Sequence, residues 1–265
     1  MKPFLTFIVF VGFFSTCSGQ SSHKPNGYDV RLFEQTPFYD LAKAIQVEDT
    51  IAIKNYVSAN KSAANFREKI HGESLLEFAI FLGKVASVKQ MLALGADPNL
   101  RSSIKENTPF LNACMCNSNS PVGKSILELM IQFGADVNTK KVGAFFDKRG
   151  RATTLFKTPL STACSYGSLD YVRLLVDNGA DLSIYGTNEE SLISIAGSWK
   201  LDIVKYLLVE KNMPMPEYCV IRQKGTKYEQ KMTLLDLMNE FQEAYSPEQK
   251  KLKQEIIEFI NKSKK

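Results

Sequence analysis

Histidine and tryptophan are scarce in this chain, which has two His and one Trp among 265 residues. The two histidines, His23 and His71, lie in separate stretches of sequence. The sequence contains no H-E-x-x-H, no Gly-rich phosphate loop and no G-x-S-x-G. These absences remove the residue sets that metal-dependent, phosphoryl-transfer or Ser-dependent catalysis needs. We therefore interpret the chain as non-enzymatic and expect no catalytic residue, no metal site and no cofactor.

Long apolar runs are also missing, because the only one extends from Phe4 to Phe14 and is too short to span a bilayer. A single Lys precedes it and small residues follow it, which is typical of a secretory signal. Cys17 ends "FSTC", which resembles the lipobox of bacterial lipoproteins and implies a lipid anchor on Cys17. Cleavage after Gly19 is the alternative. We predict a signal at residues 1–17, a flexible tether at 18–35, and an exported protein that is lipid-anchored in the cell envelope or periplasmic.

The charge imbalance is small, with a net charge of +5 at pH 7. A chain of this length that binds nucleic acid through its phosphates usually has a larger basic excess. We therefore expect a protein partner, no nucleic acid, and membrane contact through the lipid anchor only.

The stretch "KTPLSTACSYGSLDYVRLLVDNGADLS", residues 157–183, has the pattern of two short helices joined by a turn. Thr158 and Pro159 are suited to a helix start, since a Thr side chain caps the first turn and Pro has no N–H to leave unpaired. Apolar residues recur at helical spacing before Gly167, and again before "NGAD". Such a unit has too little apolar surface to fold alone.

The same unit recurs along the chain, with helix starts at Ser74, Thr108, Thr158 and Ser191, spaced 34, 50 and 33 residues apart. "TPL..AC..G..D.V..L...GAD", "GADPN" and "GADVN" resemble the ankyrin-repeat family, whose period is about 33 residues. The resemblance covers about residue 36 to the end. It implies an all-α solenoid of about six helix-turn-helix units over residues 36–265, monomeric, that binds a protein partner on its concave face.

One departure from the family pattern concerns the His of its helix-start motif, which is replaced here by Glu77, Leu111, Ser161 and Ser194. We expect weaker local hydrogen bonding at these positions. Cys114 and Cys164 occupy equivalent places in successive units, where helices pack about 8–10 Å apart. A disulfide needs Cα atoms within about 7 Å, so we interpret both as small core residues.

Three insertions interrupt the period, and two of them, at 140–157 and 218–232, are predicted to form β-hairpin-like fingers. The first contains six cations against Asp147 alone, a net charge of +5, together with three Phe residues. One interpretation is a recognition surface for an acidic partner, and the other is a solvated hairpin whose Phe side chains pack on the solenoid. The predicted partner-binding residues are Lys140, Lys141, Phe145, Phe146, Lys148, Arg149, Arg151, Trp199, Arg222 and Lys224.

Trp199 is included as a contact in the groove, with the filling of a gap between helices as its alternative role. For function, we expect a non-catalytic protein-interaction module of the bacterial cell envelope. Two alternatives remain: an inhibitor or immunity-type protein that blocks a toxin or envelope enzyme, and a structural or stress-related envelope component.

Overall fold

A computed structural model of the chain describes residues 28–104, 106–116, 120–146, 152–183, 191–197, 199–222, 227 and 229–263. These residues form helices in consecutive antiparallel pairs and two short hairpins. The helices are α1 (Tyr39–Gln46), α2 (Thr50–Ala59), α3 (Leu75–Phe81), α4 (Val85–Ala93), α5 (Pro109–Met115), α6 (Pro121–Gln132), α7 (Pro159–Tyr166), α8 (Leu169–Asp177), α9 (Leu192–Ala196), α10 (Leu201–Lys205), α11 (Leu234–Glu240) and α12 (Pro247–Ser263). The strands are β1 (Lys141–Phe146), β2 (Ala152–Lys157), β3 (Val220–Arg222) and β4 (Gln230–Met232).

The helices form two layers. The first helices of successive pairs, from α1 to α9, pack side by side, and the second helices, from α2 to α10, do the same. Between the layers lies one continuous apolar core that extends from Leu32 to Ile260. The mostly helical solenoid predicted from the sequence is therefore confirmed, and each pair buries its apolar face only against its neighbours.

The first helices begin as the sequence predicts. From α3 onward the N-cap residues of the first helices are Ser or Thr, whereas α1 follows Phe38 and has no side-chain cap. Each of these side-chain oxygens accepts a hydrogen bond from the third backbone N–H of its helix: Ser74, Thr108, Thr158, Ser191 and Thr233. Pro109 and Pro159 occupy the first helical position, where no N–H is needed.

Asparagine side chains join the turns that follow the second helices. Asn99 donates from Nδ2 to the Gly134 carbonyl at 2.9 Å and accepts from the Asp136 N–H at 2.8 Å. Asn65 and Asn138 make the same pair of bonds to the turns at Gly95 and Gly179. We call these three residues the asparagine ladder.

The ladder ends at Ser183 for two reasons. Ser183 occupies the position of the ladder asparagines, but it has no amide to bridge to the next turn. In that next turn Asn212, with φ of +50°, replaces the positive-φ glycines, and Pro214 therefore stands where the other turns have an Asp N–H donor. Proline has no N–H, so an Asn at position 183 could still not accept the hydrogen bond that the Asp N–H donates in the other turns.

A second set of contacts between units comes from two arginines 34 residues apart, Arg67 and Arg101. Arg101 donates to the carbonyls of Glu106 and Lys140, both at 2.9 Å. Arg67 likewise donates to the carbonyls of Gly72 and Leu100. Each arginine thus fixes its own loop and the start of the next one.

The hairpins are antiparallel, and β1 pairs with β2 from Lys141↔Lys157 to Phe146↔Ala152. β3 pairs with β4 from Val220↔Met232 to Arg222↔Gln230. Both hairpins stand in the loops that lead into a first helix, α7 and α11 respectively.

The predicted tether at 18–35 needs a correction at its C-terminal end. Val30–Phe33 forms a 3-10 helix whose residues Leu32 and Phe33 are buried. The Phe33 ring packs edge-on against Phe78 of α3, with centroids 5.3 Å apart. These apolar side chains belong to the same core as α1 and α3, so the packed array begins before residue 36. Residues 1–27, with the predicted signal and Cys17, lie outside the described part of the chain.

Candidate binding surface

One surface with exposed aromatic side chains lies at the ends of the first helices. Counting from each N-cap, the eighth residue is apolar in five successive units: Leu82, Cys116, Tyr166, Trp199 and Phe241. Tyr166 and Trp199 are 50% and 54% exposed, and the other three are half-buried. We call these residues the eighth-position row. Because the first helices pack side by side, equivalent positions lie along one face of the array.

Trp199 is exposed but firmly held. Its ring packs on Phe241 with centroids 4.8 Å apart. Its carbonyl accepts from Gln249 Nε2 at 3.4 Å, which connects it to α12. The next residue, Lys200, donates from Nζ to the Gly167 carbonyl and so binds the preceding unit. Burial lowers the pKa of Lys200. An exposed indole on a backbone held from both sides is suited to protein contact, because little freedom remains to be lost on binding.

The base of the first hairpin lies beside this row. Lys157 Nζ lies 5.6 Å from the centroid of the Tyr166 ring, within cation–π range. Lys141 is opposite Lys157 in the register, and Lys140 is exposed just before β1. The predicted cations Lys140 and Lys141 and the predicted anchor Trp199 therefore belong to units that adjoin the same helix, α7.

The remaining predicted site residues fall into two groups. Phe145 and Phe146 lie in β1 opposite Thr153 and Ala152, and Arg222 is the last residue of β3. The others lie outside the described residues: Cys17, Lys148, Arg149, Arg151 and Lys224. The eighth-position row itself was missed from the sequence, although aligning the Ser and Thr caps and counting eight residues would have found it.

A buried polar network replaces the hydrogen bonding expected from the family's His. Glu77 Oε2 pairs with Arg67 Nη1 at 2.6 Å and accepts from the Ser74 N–H at 2.8 Å. Glu77 Oε1 accepts from Asn112 Nδ2 at 2.8 Å, which connects α3 to α5. Burial raises the pKa of Glu77, against the lowering effect of Arg67. Hydrogen bonding is thus strong here, and the expectation of weaker bonding at this position is wrong.

Ser161 also corrects that expectation, since it and Thr158 form a reciprocal capping box at 3.1 Å and 2.9 Å. Only at Leu111, which has no polar side-chain atom, does the cap depend on one bond, from the Leu111 N–H to Thr108 Oγ1.

The described cysteines are free, and Cys114, Cys164 and Cys219 are buried. Burial raises the pKa of the Cys164 thiol to about 12 and that of Cys116 to about 11. Thiols with such pKa values are mostly protonated at neutral pH and react slowly. The interpretation of Cys114 and Cys164 as small core residues is confirmed.

Neither a metal site nor a membrane span is found within the described ranges. Among those residues no three His, Cys, Asp or Glu side chains come together in a way that could hold a metal ion. None of the described helices is both long and apolar enough to cross a bilayer.

Residues 76–184 match the family model for ankyrin repeats, in three copies. The chain therefore contains ankyrin repeats over this region, as its sequence motifs indicate. Its structure is similar to the ankyrin repeat domain of human ASB11, with a TM-score of 0.51 and 21% identity, over 68% of this chain and 71% of that one. This likeness concerns the fold alone.

Two curated proteins share part of the repeat region. Ankyrin repeat and SOCS box protein 6 from Homo sapiens is 28% identical over 118 residues, which is 44% of this chain and 26% of that protein. Alpha-latrocrustotoxin-Lt1a from Latrodectus tredecimguttatus is 30% identical over 119 residues, which is 45% of this chain and 7% of the toxin. The chain thus spans about a quarter or less of these relatives.

Proposed function

We propose that this protein is a non-catalytic binding module of the bacterial cell envelope that holds a protein partner on the face formed by the eighth-position row and the basic hairpins. Ankyrin repeats are in general protein–protein interaction modules, and the fold is a scaffold without catalytic residues of its own. The observation that carries the proposal is the exposed, firmly held Trp199 in an apolar row beside Lys157. Exposed aromatic patches with a polar rim are typical of interaction sites.

The location is proposed from the sequence. The run Phe4–Phe14 and Cys17 favour export and lipid attachment, with cleavage after Gly19 as the alternative. In cells fed a labelled fatty acid, the wild-type chain should carry the label and Cys17→Ser should not. Equal labelling of both chains, or none, would eliminate the lipid anchor.

An acidic partner is proposed from charge. The segment 140–157 has a net charge of +5 on a chain whose total is +5. A surface of several exposed cations accelerates association with an acidic partner, and salt weakens the effect because charges are screened over about 8–10 Å.

The test is capture of envelope proteins by the full chain, followed by association kinetics with the captured protein. Lys148→Glu with Arg149→Glu should slow association and reduce its dependence on salt. The matched control is Lys54→Glu with Lys61→Glu, which makes the same charge change at exposed positions on α2 and at the start of the 3-10 helix Lys61–Asn65. The control should leave association within about twofold of wild type if local charge, and not net charge, steers the encounter.

The outcome also separates the alternative functions. One stoichiometric partner whose activity is blocked would favour an inhibitor or immunity-type protein. Capture of no protein would remove the binding-module proposal, and unchanged association of the Lys148→Glu, Arg149→Glu variant at low salt would remove the hairpin from the site.

A further inference from the structure

We propose that the row from Tyr166 to Phe241 binds an extended segment of the partner in the polyproline II conformation. One apolar side chain of the segment packs on Tyr166, a second, three residues along, packs on the Trp199–Phe241 pair, and a carboxylate lies beside Lys157. This rests on the proposed function and adds the conformation and chemistry of the bound segment. The inference is based on an apolar row one side chain wide, which has polar residues on its flanks and a lysine at one end.

The width of the row favours an extended segment. Tyr166 is preceded by exposed Ser165, and Phe241 lies between exposed Glu240 and Gln242. A helix that binds by its apolar face needs a stripe at least about 100° wide, so it covers more than one side chain across its axis. A polyproline II segment presents one side chain per turn toward the surface and therefore matches this narrow row.

The spacing fits the same conformation. The first helices α7 and α9 pack side by side, at a typical distance of about 8–10 Å, which separates Tyr166 from Trp199. The Trp199 and Phe241 rings lie only 4.8 Å apart and therefore form a single apolar contact. Three residues of a polyproline II helix make one turn, advance about 9 Å and bring the side chain back to the same face. In a β-strand, by contrast, side chains three residues apart point to opposite faces. A helix advances a similar distance, about 10.5 Å, in seven residues. Spacing alone therefore allows both, and the narrow row decides between them.

The polar flanks can satisfy the backbone of such a segment, whose N–H and C=O groups have no internal partners. Ser165 Oγ donates to the Ser161 carbonyl at 3.0 Å, which leaves its lone pairs to accept a backbone N–H. Gln242 accepts a bond from Lys253 through Oε1 at 2.8 Å, and its NH₂ group remains to donate to a backbone carbonyl. A bound helix would make no use of these groups.

The charge near Tyr166 determines which type of residue is favoured at the end of the segment that lies over this ring. Among the described residues, Lys157 forms no ion pair, and its ammonium lies over the Tyr166 ring. The Tyr166 ring contacts one side of the Lys157 ammonium, and the remaining N–H groups of the ammonium can donate hydrogen bonds to a carboxylate. The hairpin that ends at Lys157 has a net charge of +5, so an acidic residue is favoured there over a basic one.

The experiment uses the full chain and synthetic peptides. The test peptide has eight residues, with leucine at positions 3 and 6, proline between the leucines, and aspartate at both ends. A scrambled peptide of the same composition and a helical peptide with leucines seven residues apart are the comparisons. Because Trp199 is the one tryptophan in the sequence, its fluorescence reports directly on occupancy of the row.

The test peptide should give a saturable change in Trp199 fluorescence that the scrambled peptide does not. Tyr166→Ala and Lys157→Gln should each weaken binding, the former by about tenfold or more. Tyr56→Ala is the matched control, since Tyr56 is 42% exposed on α2, in the other helix layer. Its affinity for the peptide should equal that of the wild-type chain. Circular dichroism checks that every variant is folded.

Three results would overturn the inference: tighter binding of the helical peptide, no saturable signal with the test peptide, or equal losses in Tyr166→Ala and Tyr56→Ala. These differ from failure of the proposed function. If envelope proteins are captured and the hairpin variant reduces capture, the module stands although the extended segment is wrong. If nothing is captured and no peptide binds, both fail.

Discussion

Replacing one member of the asparagine ladder tests how the units are held together. Asn99→Ala removes two hydrogen bonds to the next turn, at 2.9 Å to the Gly134 carbonyl and 2.8 Å from the Asp136 N–H. A hydrogen bond contributes about 0.5–1.5 kcal/mol net, so the pair predicts a loss of about 1–3 kcal/mol in the free energy of unfolding. For a chain of this size that corresponds to a fall of roughly 2–12 °C in Tm.

The measurement is urea unfolding followed by circular dichroism, with a thermal scan as a second reading. The matched variant is Ser183→Asn, which restores the ladder residue at the next position. Because Pro214 offers no N–H, this change should stabilise the chain by at most about one hydrogen bond, roughly 0–1 kcal/mol. An Asn99→Ala chain with wild-type stability would show that the turn bonds do not couple the units. A gain at Ser183→Asn as large as the loss at Asn99→Ala would refute the account of where the ladder ends.

Two further substitutions test the buried polar groups. Thr162 Oγ1 is buried and makes no hydrogen bond in the described structure, so the isosteric Thr162→Val should raise stability by about 1 kcal/mol in urea unfolding; a loss would show that the hydroxyl is satisfied. Glu77→Gln tests the raised pKa of Glu77. A folded-state pKa above the ordinary 4.5 means that this group's contribution to stability is complete below pH 4.5 and is lost as pH rises through the folded pKa. The stability of wild type minus that of Glu77→Gln should therefore fall with rising pH over that window, and a rise would contradict the direction of the shift.

The repeat could be predicted from sequence because its signals are local. Thr158 and Pro159 start a helix wherever they occur before an apolar periodic stretch, and Gly179 accepts a positive φ without a steric penalty. The hairpin at 140–157 was also predictable, since an insertion in a regular repeat is accommodated in a loop. The polar position of Glu77 and its nearby cap Ser74 could be identified, but not its partners Arg67 and Asn112, which lie 10 and 35 positions away.

What the sequence by itself determined is the period, the order of helix pairs and the sign of charge on the inserted hairpin, since each depends on neighbours a few residues apart. The tertiary structure alone decided which exposed side chains form one surface. Tyr166, Trp199 and Phe241 are separated by 33 and 42 residues along the chain. They lie in one row only because α7 and α9 pack side by side and Trp199 contacts Phe241. Stacking converts equal positions in successive units into neighbours in space, and no local pattern within a single unit contains that contact.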